Sequence, residues 1–288
     1  MTRTMHDSFT KEWMEGILTD FGEVTIEKQI AGEVRKIDLY FCPNPTAIDE
    51  LKKLELLGRM VSKLALMEAY RNAVPEWDVR NSREKVFQVE AELVREAARS
   101  KKKLKKSDRP FMWVLTPTFS EVLQKKFGVQ ERRAWGKGIY FLAESDRTAV
   151  IAIHQLPKTI DTLFLRLLGR GTVQADAVNE LTALPSDHPY RGETLHHISR
   201  LQINLKLRQN KTKDLQEVIM NLAPAYDKWL EETLTKGRVE GRVEGRVETQ
   251  IDIARRMLKK NVALSDVADF TGLSMDVLQT LRSSHTSV

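Results

Sequence analysis

Hydrophobic positions near the start of the chain first recur at helical spacing and then alternate with polar ones. The helical spacing predicts a helix over residues 6–20, with Gly22 just past its end. Alternation with a period of two follows in Val24–Ile30 and Val34–Phe41, which predicts two strands. Because Gly32 lies between the two segments, we expect them to pair as a hairpin.

The middle of the chain combines two long helical patterns with one short apolar run. Apolar residues recur at helical spacing over residues 48–74, and a charged amphipathic pattern covers residues 82–104, so each predicts a long helix. Phe111–Thr116 is nearly all apolar and has a proline on either side, which is typical of a buried central strand because proline is tolerated at strand ends. We expect this strand to be the third of the sheet.

Two further strands are predicted after a short helix that ends near Phe127. They cover Gly138–Ala143 and Thr148–His154 and are joined by a turn-rich segment. Beyond Pro157 the strand pattern disappears, and helical patterns dominate up to about Arg282. A mixed sheet with helices packed on it is the economical way to bury these apolar faces. The predicted fold class is therefore α/β, a mixed sheet flanked by helices and followed by an all-helical tail.

The change from a mixed to a purely helical pattern also predicts how the chain is divided into parts. We expect an α/β domain, a helical linker with a short repeat and a small helical module, in residues 1–185, 186–250 and 251–288 respectively.

Composition excludes several classes of protein. Hydrophobic residues make up 41% and charged residues 30% of the 288 positions, which is typical of a globular chain and not of a disordered one. No apolar run approaches the ~20 residues that span a bilayer, and charged residues interrupt the N-terminus where a secretory signal would be apolar. With one cysteine, Cys42, no internal disulfide can form. We therefore expect a soluble, cytoplasmic protein.

A net charge of +6 permits contact with nucleic acid, and part of that charge is concentrated in one block. The lysine block consists of Lys101, Lys102, Lys103, Lys105 and Lys106. Such a block could neutralise several DNA phosphates without reading sequence. The alternative is a solvated junction between a helix and the next strand.

Several motifs resemble the Rpn-type branch of the PD-(D/E)XK nuclease superfamily, a group of recombination-promoting nucleases and transposases. The opening His6–Lys11 is similar to the start of that branch's first helix, and Arg35–Asp38 is similar to its second strand, which ends on an acidic residue. The order of predicted elements is also that of the superfamily's core. Three further segments are similar to an uncharacterised cyanobacterial-type subgroup: Trp113–Pro117, His154–Pro157 and Leu167–Gly171.

The resemblance implies a restriction-endonuclease-like fold and a metal-dependent DNA endonuclease that acts in recombination or on mobile elements. Hydrolysis of a phosphodiester needs carboxylates that hold Mg²⁺ and a group that stabilises the developing charge. We therefore expect Asp38, Lys36 and Glu12 to be catalytic, and Asp38, Asp7 and Glu27 to bind Mg²⁺. Lys36 and Asp38 share one strand face, where a carboxylate of the first helix could meet them. The alternative is a plain ion pair at the rim of the sheet.

Active members of the superfamily carry an acid and a lysine two residues apart, (D/E)-x-K, on the third strand. The expected third strand, Phe111–Thr116, contains neither residue type. Glu50-Leu51-Lys52 matches the triplet in letters, but it opens a predicted helix. The rival hypothesis is therefore a catalytically inactive interaction protein that keeps the fold.

A Gly-Arg-Val-Glu repeat over residues 237–248 gives four stripes in a helix, one for each residue type. Like charges at i,i+4 and internal glycines make such a helix weak alone. A second copy could approach over the glycines and pair arginine with glutamate, so we expect self-association through this segment. The Thr271–Ser274 turn resembles that of a helix-turn-helix, and we interpret the segment around it as a docking module more readily than as a DNA reader.

Overall fold

The fold is given by a computed structural model, which describes residues 5–30, 35–208, 212–260 and 262–283. The strands are β1 (Gly22–Ile30), β2 (Arg35–Pro43), β3 (Ala65–Ala69), β4 (Phe111–Thr116), β5 (Gln130–Glu131), β6 (Ile139–Phe141) and β7 (Thr148–Ala152). The α-helices are α1 (Met5–Leu18), α2 (Ile48–Leu51), α3 (Glu55–Met60), α4 (Glu76–Arg99), α5 (Glu121–Phe127), α6 (Leu163–Arg166), α7 (Gly171–Ala183), α8 (Arg191–Lys206), α9 (Lys213–Lys259), α10 (Leu264–Thr271) and α11 (Met275–Ser283).

These strands form one mixed sheet of seven in the order β1-β2-β3-β4-β7-β6-β5. The first three pair antiparallel to one another, whereas β3, β4 and β7 run parallel. β6 and β5 complete the sheet with antiparallel pairs. The predicted class is confirmed: an α/β protein with a mixed sheet, helices on both of its faces and a helical C-terminal region.

The third strand is not the one that the sequence predicts. Residues 48–74 form short helices followed by β3, so the single long helix predicted there is wrong. Ala65–Ala69 is buried at nearly every position because helices cover both faces of the sheet. A strand buried on both faces loses its alternation, and its leucines then fit a helical spacing equally well.

Phe111–Thr116 is confirmed as a buried, central strand, but it is the fourth of the chain. It lies between β3 and β7, and every residue after Phe111 is buried. The indole N–H of Trp113 donates a hydrogen bond to the backbone oxygen of Met60 at 3.1 Å, which satisfies the one polar atom of that buried side chain.

Each face of the sheet has its own hydrophobic core. On one face α1, α3, α6, α7 and α8 cover the sheet, and Trp13 of α1 belongs to the same cluster as Trp113. On the other face α4 packs Val86 and its apolar neighbours against Leu66 and Val114. Because α1 and α4 lie on opposite faces, both can bring polar side chains to the same end of β2 and β3.

The chain divides into two compact units, residues 1–229 and 230–288, with the division inside α9. The second unit has a small core of its own around Ala254, Val267 and Leu278. The predicted domain boundaries at residues 185 and 250 are a different division and stay predictions.

Candidate functional site

The site begins where β2 separates from β3. The last regular pair between these strands is Leu39 with Met67. One residue further, a carboxylate oxygen of Asp38 accepts a hydrogen bond from the backbone N–H of Ala69 at 3.0 Å, so the side chain replaces a backbone acceptor. Continuing the antiparallel register by one residue places Asp38 opposite Glu68. The two strands therefore bring two carboxylates together.

A third carboxylate, Glu27, reaches the same place from β1. The β1–β2 ladder skips one pair, Glu27 with Asp38, and Glu27 has a φ of 53°, which is unusual for a residue with a side chain. Lys11 of α1 lies between the two acids, with its Nζ 3.0 Å from Asp38 and 3.5 Å from Glu27. Backbone distortion at a charged cluster is typical of functional sites.

Glu68 is the most deeply placed member of the cluster, with a relative exposure of 6%. Its carboxylate accepts a hydrogen bond from Nζ of Lys85 on α4 at 2.6 Å. Burial, and after it the negative charge of Asp38, raise the pKa of Glu68 to about 7, although Lys85 acts in the opposite direction. At neutral pH this carboxyl group is therefore close to equal populations of its two protonation states, as a general acid or base requires.

The third strand carries the acid of an acid-x-lysine triplet but not its lysine, because the three residues are Glu68-Ala69-Tyr70. Burial and the charge of Glu68 raise the pKa of Tyr70, so its hydroxyl stays neutral. The ammonium comes instead from Lys85, a residue of the helix that follows the strand.

The structure brings together some of the predicted site residues and not others. Asp38 and Glu27 share the cluster, and Lys36 contacts Glu27 at 3.2 Å, on the exposed side. The prediction that a helix-1 carboxylate meets Asp38 is not supported by Glu12, which is exposed, and Lys11 fills that place instead. The side chain of Asp7 lies outside the described residues.

Glu68 and Lys85 were missed at the level of sequence. Their pairing depends on β3 being a strand, and the helical interpretation of residues 48–74 concealed it. One signal was present: Glu68 is the single charged residue in the apolar run Leu64–Ala69. Glutamate is almost never fully buried unless it is paired, so such a residue indicates a partner elsewhere in the chain.

The lysine block lies away from this cluster. It connects α4 to β4, and all five of its lysines are exposed. Since β3 and β4 run parallel, the start of β4 is at the opposite end of the sheet from Glu68 and Ala69. Within the described residues one ion pair is found for the block, between Lys106 and Glu144 at 3.8 Å. It is exposed and therefore contributes little to the stability of the fold.

The donor set suits a cation that needs few protein ligands. Within residues 5–30, 35–208, 212–260 and 262–283, no three acidic, histidine or cysteine side chains are arranged to hold a metal ion. Mg²⁺ commonly takes only one or two carboxylates and completes its shell with water and substrate phosphate. Asp38 and Glu68 supply such a pair. Burial is the main cause of the raised pKa of Glu68 and the charge of Asp38 is the second, so a divalent cation would relieve the second of these by reducing the repulsion between the two carboxylates.

Comparisons with known proteins found no matching family model, curated protein or solved structure. The described residues also contain no helix with the length and apolar character needed to cross a membrane. What this chain does is therefore inferred from the chemistry of its own residues.

The raised pKa of Glu68 predicts how stability depends on pH in the absence of metal. The folded-state pKa of about 7 exceeds the model value of 4.5, so the folded state binds more protons between these values. This contribution to stability is complete below pH 4.5 and is lost as the pH rises through about 7. Relative to a Glu68→Gln variant, the wild-type free energy of unfolding should fall by roughly 3 kcal/mol across that window. Urea unfolding at a series of pH values measures it, and parallel pH curves for the two proteins would contradict the assignment.

Proposed function

We propose that this protein is a metal-dependent phosphodiesterase acting on DNA, with Asp38 and Glu68 holding the cation. The observation that carries the proposal is the pair of carboxylates on adjacent strands, with the Lys85 ammonium 2.6 Å from one of them. The order α1-β1-β2, two short helices, β3-α4-β4 also supports it, because apart from those two helices it is the order of the PD-(D/E)XK core that the sequence motifs resemble. A restriction-endonuclease-like fold and an Rpn-type origin are parts of the same proposal.

Four charged residues of the site have a role in this proposal: Asp38, Lys11, Glu68 and Lys85. Mg²⁺ bound there would polarise the scissile phosphate and lower the pKa of a bound water. Asp38 accepts a hydrogen bond from the backbone N–H of Ala69 through one carboxylate oxygen and pairs with Lys11 through the other, so the position of its carboxylate is fixed. Glu68 would hold the cation in its carboxylate form, without a proton. Lys85 would then face a carboxylate whose charge is already balanced, and its ammonium could donate to the phosphate or to the attacking water.

The direct test is cleavage of supercoiled plasmid by the purified chain. We expect nicked and linear products with Mg²⁺ and none when EDTA is present. Lack of cleavage with Mg²⁺ or Mn²⁺, on plasmid and on single-stranded DNA, would contradict the proposal.

A second candidate function, self-association through the tail, is favoured by the exposed valines of the repeat. Val239, Val243 and Val247 are 58%, 57% and 42% exposed, and a Cβ added at Gly237, Gly241 or Gly245 would meet nothing within 4 Å. The helix thus presents an apolar stripe beside glycines that allow close approach. This is the function that a catalytically inactive chain would keep.

Removing the repeat tests that candidate. Deletion of residues 237–248 should convert an oligomer to a monomer in light scattering, because it removes the whole apolar stripe. A triple Val239→Ser, Val243→Ser, Val247→Ser variant keeps the length of the helix and should have the same effect. If the intact protein is a monomer at tens of micromolar, self-association is contradicted and the repeat is only a spacer.

A further inference from the structure

A cavity of about 280 Å³ lies at the end of the sheet opposite Glu68. Its apolar wall is a cluster of aromatic side chains from β4, β6 and the loop before β6. The ring centroids of Phe111 and Trp113 are 4.7 Å apart, those of Trp113 and Trp135 are 5.1 Å apart, and those of Trp135 and Phe141 are 5.4 Å apart. Trp113 and Phe141 are buried, so Phe111 and Trp135, which are half-buried, are the members on which another aromatic ring can stack.

Cationic side chains surround the aromatic wall. The guanidinium of Arg59 lies 4.3 Å from the ring centre of Trp135, and that of Arg132 lies 4.2 Å from the ring centre of Phe141. Arg147 and Lys63 also line the cavity. Glu144 is the single acidic residue among the lining side chains described, and it is exposed. The cavity is therefore strongly positive.

This positive charge is not neutralised inside the protein. Within the described residues no carboxylate forms an ion pair with Arg59, Lys63 or Arg132. Arg59 donates to the backbone oxygen of Ala134 at 2.7 Å, and Arg147 donates to that of Pro110 at 2.6 Å, so two of the guanidinium groups are held in place by neutral acceptors. Stacking on the wall explains why Arg59 and Arg132 lie where they do. It does not explain why two more cations face the same space.

We propose that this cavity binds a nucleoside phosphate, with the base against the aromatic wall and the phosphate among the arginines. Bases stack on aromatic side chains and on guanidinium planes, and arginine pairs with phosphate through paired N–H groups. The nucleotide can be free or part of a strand. A neighbouring cleft shares Glu144 and Arg147 with the cavity and would be the path of a strand. It is lined also by Arg95, Lys106 and Arg109, and by Glu90, which pairs with Arg109 at 3.3 Å.

Titration of the intact chain with adenosine monophosphate tests the proposal, with tryptophan fluorescence and calorimetry as readouts. We expect saturable quenching by adenosine monophosphate, and binding at least about tenfold weaker for adenosine or inorganic phosphate alone. A fluorescent oligothymidylate, measured in parallel, shows whether the bound nucleotide is free or part of a strand. Tighter binding of the oligonucleotide, with competition by adenosine monophosphate, indicates a strand, and binding of the mononucleotide alone indicates a free nucleotide.

Two variants change exposed residues, so their substitution should not affect folding. Arg132→Gln removes a cation of the cavity and should weaken binding by about tenfold or more. Arg133→Gln changes the adjacent arginine, which does not line the cavity, and should leave binding unchanged. The proposal is overturned if neither probe binds at millimolar concentration, or if the two variants bind alike. Because the cavity is at the other end of the sheet from Asp38, plasmid cleavage can fail while this binding persists.

Discussion

Replacing Asp38 with asparagine is expected to reduce Mg²⁺-dependent cleavage of DNA by about a hundredfold or more. Mutation of residues that only support a metal's ligands already lowers metal affinity or activity by about ten- to a hundredfold. Asparagine keeps the volume of the side chain and can still accept the hydrogen bond from Ala69, so the strand end should keep its geometry. It loses the negative charge that we propose to hold the cation and that, after burial, raises the pKa of Glu68. The measurement is the rate of plasmid nicking, together with a thermal melt that shows the variant to be folded.

The matched control is Glu50→Gln. Glu50 belongs to the letters Glu50-Leu51-Lys52 but lies exposed on α2, where its carboxylate pairs with Lys53. Its substitution should leave cleavage unchanged. Full activity of Asp38→Asn, or loss of activity in Glu50→Gln, would place the site elsewhere.

Replacing Lys85 with methionine is expected to destabilise the fold by about 3–5 kcal/mol at pH 8, the usual cost of leaving a buried charge without its partner. Methionine fills a similar volume, so the loss reports charge and not packing. The pKa of Glu68 should rise further when Lys85 is removed, because Lys85 is the group that lowers it. The destabilisation should therefore be smaller at pH 4.5, where Glu68 is protonated in the folded state and leaves no buried charge without a partner.

Chemical unfolding at the two pH values measures this effect, and a double variant separates its causes. Adding Glu68→Leu to Lys85→Met removes the buried charge and should recover most of the lost stability. Lys126→Met is the control for an exposed pair, since Lys126 contacts Glu76 at the surface, and it should cost less than about 1 kcal/mol. Equal losses for Lys85→Met and Lys126→Met would show that Glu68 is not held by its lysine.

Sequence reasoning succeeded where one face of an element is polar or a local signal marks its end. Ser120 accepts a hydrogen bond from the backbone N–H of Leu123 at the start of α5, so a local side-chain signal marks where that short helix begins. Phe111–Thr116 has the bounds that its flanking prolines indicate. The same reasoning failed at β3, because a strand covered by helices on both faces has no polar side to reveal its period.

The residues of the candidate site also fall into two groups, those that the sequence indicated and those that it did not. Asp38 was found from the sequence because it shares a strand face with Lys36 in a segment that resembles the family's second strand, and Glu27 because it lies on the neighbouring strand. Lys11 was outside the predicted set, since a helix pattern shows which face is apolar but not which polar side chain reaches a given strand. Glu68 and Lys85 are seventeen positions apart. Their contact exists only because α4 crosses back over the strand that precedes it.

By itself, the sequence determined the α/β class, the helical tail, the central strand β4 and the acidic residue Asp38 within β2. These follow from local periodicity and from proline and glycine positions, which act within a few residues of one another. Only the tertiary structure decided that β3 lies between β2 and β4, that Glu68 shares its pocket with Asp38, and that Lys85 balances its charge. Burial and pairing between distant residues decide these features, because a carboxylate has no shifted pKa and no partner until the sheet and its covering helices exclude water around it.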